Sequence, residues 1–193
     1  MSSPAIQRAL MAVRHPYFAW VIGGVVACLA FLIMVSFAAV SWVGNETSSV
    51  TALSIWLGDN QGFGDVRFID RFLILIPLAA IALITIAVLI ILQRLPTDQG
   101  LVSLVAVSLF LLIFPYIWKG ISTNEWRKDL PEGVDISALT DLYNTVPHTV
   151  FSFLAVVVSV IGMVLYFADQ HGLLPTFAPN DRVSEPPPSD ESE

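Results

Sequence analysis

The chain has 193 residues, of which 55% are hydrophobic and only 13% charged. Soluble domains carry about a quarter charged residues, so the composition predicts an integral membrane protein. The formal net charge of −7 gathers in the connections and the tail, which leaves no basic surface and excludes nucleic-acid binding.

Residues 1–16 hold Arg8 and Arg14 and no acid, and Tyr17 to Val43 then runs 27 residues without a charge. A hydrocarbon core of about 30 Å needs roughly 20 helical residues, so residues 17–43 are the first expected crossing. Ser36-Phe37-Ala38 would pass as a small-x-small cleavage site. Signal-peptide apolar cores are about 7–15 residues long, however, so an uncleaved helix is expected. The single cysteine, Cys28, lies mid-way along this run and says nothing of redox compartment.

Gly44 to Arg71 forms a connection in which Val50, Leu53 and Trp56/Leu57 recur at helical spacing. Ser48 and Ser49 are N-cap candidates and Gly58 a C′ residue, so a short amphipathic helix is preferred over a strand alternating Val50, Ala52, Ser54 and Trp56. Asp59 to Asp65 is polar and Gly-rich but lacks the spacing and closing Glu of a calcium loop, and reads as a turn.

The centre of the chain is a hairpin of two uncharged runs, residues 72–92 and 101–118, the second and third crossings. The polar stretch Gln93 to Gly100 between them holds one cation, a Pro and a Gly, which is turn chemistry. Pro77 and Pro115 each remove one backbone donor and are expected to kink their helices. In the next connection, Lys119 to Pro147, the spacing of Ile136, Leu139 and Leu142/Tyr143 behind Asp135 predicts a second interfacial helix. Residues 149–167 are the fourth uncharged run. The expected fold is therefore an all-α membrane protein, a four-transmembrane-helix bundle within residues 1–172. Two short amphipathic helices lie in its outer connections, and an acidic, Pro-rich tail, 173–193, is expected to be disordered.

Four crossings put Arg8, Arg14, Arg94 and Arg182 on one side and Arg67, Arg71, Lys119, Arg127 and Lys128 on the other, which leaves the basic-residue rule nearly balanced. The purely basic N-terminal flank of the first crossing places both termini in the cytoplasm and the protein in the plasma (inner) membrane. Trp42, Tyr116 and Trp118 then stand at the outer ends as headgroup anchors, with Tyr17, Trp20, Tyr166 and Phe167 at the inner ends.

The uncharged runs contain no ionisable group, and their polar content is hydroxyls, which argues against a pump or coupled transporter. One cysteine excludes disulfide exchange. His15, His148 and His171 all fall at run ends, so haem ligation inside the membrane is not expected, and His148 reads as an interfacial polar anchor. Neither a catalytic group, a cofactor nor a metal site is expected. Asp70 between Arg67 and Arg71 reads as part of a solvated charge cluster, as do the charges of residues 125–132. Gly23, Ala27 and Ala30, and likewise Ser152, Ala155, Ser159 and Gly162, repeat at three and four residues. They form faces on which a neighbouring helix can approach closely. Residues for partner contact are Leu53, Trp56, Trp126, Leu139 and Tyr143 in the outer connections. Trp42-Val43-Gly44 and Trp118-Lys119-Gly120 close crossings one and three alike, the pattern that two repeated hairpins would leave.

Two long connections on one side and a short turn on the other, with Trp56 followed by Leu57-Gly58, resemble the layout of claudin-like tetraspan proteins. The cysteine pair of that family's first loop is missing, so none of its function carries over. The layout also resembles small bacterial four-transmembrane-helix proteins that are uncharacterised. The expected function is that of a non-enzymatic accessory or scaffolding subunit, docking onto a membrane-protein partner through its outer connections. The alternative is a module binding a lipid or another apolar ligand in a groove beside Pro77 and Pro115; a membrane enzyme is the third reading.

Overall fold

The structure, a computed structural model, describes residues 18–44, 49–58, 68–129 and 146–173. Four of its helical segments are long and apolar enough to cross a bilayer, and the chain is an integral membrane protein. Helix α1, Phe18–Ala39, leads into strand β1, Ser41–Gly44, which pairs antiparallel with β2, Ser49–Thr51. A six-residue helix, α2, Ala52–Leu57, follows at once. The second crossing begins as a 3-10 helix, Phe68–Ile74, and continues as α3, Leu75–Ile91. Helix α4 is Thr97–Asp129 and α5 is Val146–Gln170.

Chain direction alternates from helix to helix. One end of the bundle, the loop end, thus carries the long connections. The other, the turn end, carries Phe18, Gln170 and the 92–96 turn. In section the helices form a ring in which α1 packs on α3 and α5, and α4 packs on the same two. Outward side chains such as Phe31, Ile81, Ile113 and Phe153 are exposed and apolar, as contact with hydrocarbon requires. Cys28 is on this exposed surface.

Every crossing departs from its charge-free run at one or both ends, because helix ends are set by backbone pairing and caps rather than by the nearest charge. α1 stops at Ala39, since Ser41 to Gly44 are taken into the strand pair. Val50, expected to open a helix, is instead the buried strand partner of Val43. The cap therefore falls to Thr51, whose Oγ1 accepts the Ser54 backbone N–H at 3.1 Å, rather than to Ser48 or Ser49. Gly58 ends α2 at φ 91°, the left-handed conformation its place required. Pro77 falls in the first turn of α3, where the 3-10 helix gives way to α-helix, whereas Pro115 is in the interior of α4.

The turn between α3 and α4 is built differently from the expectation. The left-handed residue is Gln93, at φ 55°, with Arg94 N donating to Leu89 O (2.8 Å) and Gln93 N to Ile90 O (3.0 Å), a Schellman closure without glycine. Gly100 is not the breaker. It lies inside α4, where a Cβ would come within 2.5 Å of Ile90 Cγ1. α4 also runs eleven residues past Trp118, roughly 16 Å, because Lys119 to Asp129 contains no proline and places Arg127 and Lys128 in the last turn, favourably to the helix dipole. Crossings one and three thus end unlike each other, against the repeated-hairpin reading. α5 starts at Val146 because Pro147 fits a first helical turn, where its missing N–H is not needed. The second expected loop helix, with Leu139 and Tyr143, and the acidic tail lie outside the described residues.

Candidate functional site

The site forms at the loop end, from one group on or beside each crossing. Trp42 begins it. Between Ser41 and Val43 the β1–β2 register slips, so that Trp42 is the extra residue of a bulge, a device that turns a side chain out of its strand's alternation. Its ring is fully buried in the bundle, with Nε1–H donating to Ser36 O at 3.1 Å, the carbonyl that also accepts the Val40 backbone N–H.

Three aromatic rings surround that indole edge to face. Phe37 lies 6.4 Å away, Trp118 6.0 Å and the His148 imidazole 5.0 Å, centroid to centroid. Such contacts add about 0.5–1.5 kcal/mol each beyond the area they bury. Trp118 is 1% exposed, and its Nε1–H donates to Asp70 Oδ1 at 3.0 Å. Asp70 itself is only 6% exposed. A hydrogen bond to a buried carboxyl oxygen is costly to lose, and this one joins the head of the second crossing to α4.

The third tie follows from Pro115. In an uninterrupted helix the N–H of residue 115 would donate to the carbonyl of residue 111, and proline has none to give. His148 Nε2 lies 3.0 Å from that Leu111 oxygen. A carbonyl only accepts, so Nε2 carries the hydrogen. The same N–H is shared with Ser152 Oγ at 3.3 Å. Nδ1 is buried with no hydrogen-bond partner. Proline on one helix and histidine on the next are therefore complementary: the first frees an acceptor and the second fills it.

Several sequence readings change here. Trp42 and Trp118 are core residues, not headgroup anchors, whereas Tyr116 is exposed. Asp70 is enclosed rather than solvated, while Arg71 beside it is exposed. His148 is inside the bundle, not at its surface. The uncharged runs lacked ionisable groups only because they were cut short. Asp70 and His148 stand just outside residues 72–92 and 149–167, yet both fall within helical segments of spanning length. The Pro115–His148 pairing left no mark in the sequence that spacing alone could reveal. The two Trp-x-Gly ends were a signal, for their tryptophans meet.

Of the residues expected at a partner surface, Leu53 and Trp56 are half-buried against the core. Trp126 is on the extension of α4, and Leu139 and Tyr143 are outside the described residues. Gly23, Ser152, Ala155, Ser159 and Gly162 are buried, and Ala27 is half-buried. No group of three or more potential metal ligands occurs among the described residues. No family model, curated protein or solved structure matches the chain. What it does is accordingly argued from this site.

Proposed function

We propose that the chain is an accessory or scaffolding subunit of a larger membrane complex, without catalytic activity of its own, and that it docks through its loop end. The observation that carries this is the enclosure of the site. Asp70 and His148, its two titratable groups, are both covered, with their bonds directed at Trp118 and Leu111 rather than at an opening. A catalytic centre needs reactive groups that a substrate can reach. The cluster instead ties Trp42 of β1 and the head of the second crossing into the bundle, and Leu57 and Phe68 at the same end are 66% and 76% exposed. Large apolar side chains on a rigid frame are what a binding surface presents.

Photo-crosslinking from positions 57 and 68 in intact membranes, followed by native-detergent purification, tests the proposal. A single stoichiometric membrane protein crosslinked from both positions, and lost on Leu57→Glu and Phe68→Glu, is the expected outcome. Crosslinks to lipid alone, with the chain purifying by itself, would overturn it.

A further inference from the structure

The lipid-facing surface carries a groove of about 490 Å³ where the loop-end halves of α4 and α5 meet. Leu112, Ile113 and Tyr116 line one wall, and Thr149, Val150, Phe153 and Leu154 the other. Nearly all of the lining surface is carbon. Thr149 adds only its methyl to this surface, because its Oγ1 is buried.

The tie behind the groove is part of its construction. Leu111 and His148, joined by the 3.0 Å hydrogen bond, are the immediate chain neighbours of Leu112 and Thr149, one on each wall. Pro115 is the neighbour of Tyr116. The bond that replaces the missing helical one thus joins the two walls from inside.

We propose that this groove retains one acyl chain of a bilayer phospholipid as a bound ligand rather than as a passing solvent molecule. The groove is continuous with the hydrocarbon-facing surface of the bundle, so lipid is the molecule it meets. Its almost wholly apolar lining suits hydrocarbon rather than a polar ligand. A partner helix is the other candidate occupant. Helices associate in membranes through small residues that let backbones approach, and among the seven lining residues Thr149 stands alone as small, between six larger ones. Ile113, Tyr116 and Phe153, each more than half exposed, would hold a helix backbone off the groove, whereas an acyl chain needs no such approach. This inference stands apart from the docking proposal and uses none of its residues.

Native mass spectrometry of the full chain, extracted from palmitoyl-oleoyl phosphatidylcholine vesicles into mild detergent, tests it. The wild type is expected to hold one phospholipid. Val150→Trp and, from the opposite wall, Ile113→Trp fill the groove and should each lower retention roughly tenfold at unchanged helicity. Ile81→Trp, on the exposed face of α3, should leave retention as it is. Equal retention in the groove-filled variants, equal loss in the α3 variant, or a wild type that holds no lipid would each overturn the assignment. So would a partner polypeptide crosslinked from positions 113 and 150.

Discussion

At the turn end three glycines let helices close up on each other. A Cβ on Gly23 would meet Ala87 O at 3.2 Å, one on Gly162 would meet Ile22 Cγ2 at 3.0 Å, and one on Gly100 would press on Ile90. At the loop end the helices are held by side chains that span between them: Trp118 to Asp70, Trp42 to Ser36, His148 to Leu111. The first kind of contact is shape alone, and a change there acts locally. The second is a set of directional bonds linked by rings that meet edge to face, where the loss of one member is felt by the others. Perturbations at the loop end should therefore be larger and should couple, and those at the turn end should be smaller and additive.

The largest effect is expected from Trp42→Ala. It removes the ring on which Phe37, Trp118 and His148 converge and the anchor of β1, at a cost of about 3–5 kcal/mol. Unfolding in mixed micelles titrated with SDS measures it, with Trp20→Ala, a lipid-exposed control, expected to cost far less. Near-equal costs would remove the distinction between the ends.

Trp118→Phe comes next. It keeps most of the ring and deletes the N–H, so the buried Asp70 Oδ1 loses this donor, at a cost of about 1–3 kcal/mol. A variant within about 0.5 kcal/mol of wild type in the same titration would show that this bond does not hold the second crossing.

How legible these ties were in the sequence differs in the same way. The four crossings could be read because hydrocarbon excludes charge over some twenty residues, a signal spread across the whole run. Helix ends rest on single bonds, which is why Thr51 and Gln93 took the roles that the sequence assigned to Ser49 and Gly100. The loop-end site was hidden for a further reason. Tryptophan near a helix end is ordinarily an interfacial anchor, and only the bulge at Trp42 and the continuation of α4 beyond Trp118 turn both rings inward. Asp70, with Arg67 and Arg71 close by, has the sequence context of a surface residue, yet it is buried and accepts a hydrogen bond from a tryptophan 48 positions away.

The Pro115–His148 tie allows a sharper test of coupling. His148→Leu alone leaves the Leu111 carbonyl buried without a donor, a loss of about 1–3 kcal/mol. Pro115→Ala restores the helical N–H that reaches this carbonyl. In that background, His148→Leu should cost at least about 1 kcal/mol less than it does with proline in place. Equal costs in both backgrounds would mean that the histidine is retained for packing against Trp42 and not for the freed oxygen.

The smallest effect belongs to the turn end and has the opposite sign. Gln93 holds φ 55° to close the Schellman motif after α3, a conformation that costs an L-residue about 1–2 kcal/mol and costs glycine nothing. Against this, glycine gains freedom in the unfolded chain, worth about 0.5–1 kcal/mol. Gln93→Gly should therefore stabilise the protein by a few tenths to about 1 kcal/mol. Gln93→Ala shares the strain of glutamine and should give no gain, which separates backbone conformation from loss of the side chain. Because only the 92–96 turn is involved, the gain should add in full to any loop-end substitution, including Trp42→Ala. A Gln93→Gly gain that shrinks in the Trp42→Ala background would show that the two ends, some 30 Å apart along a helix of about twenty residues, are not energetically independent.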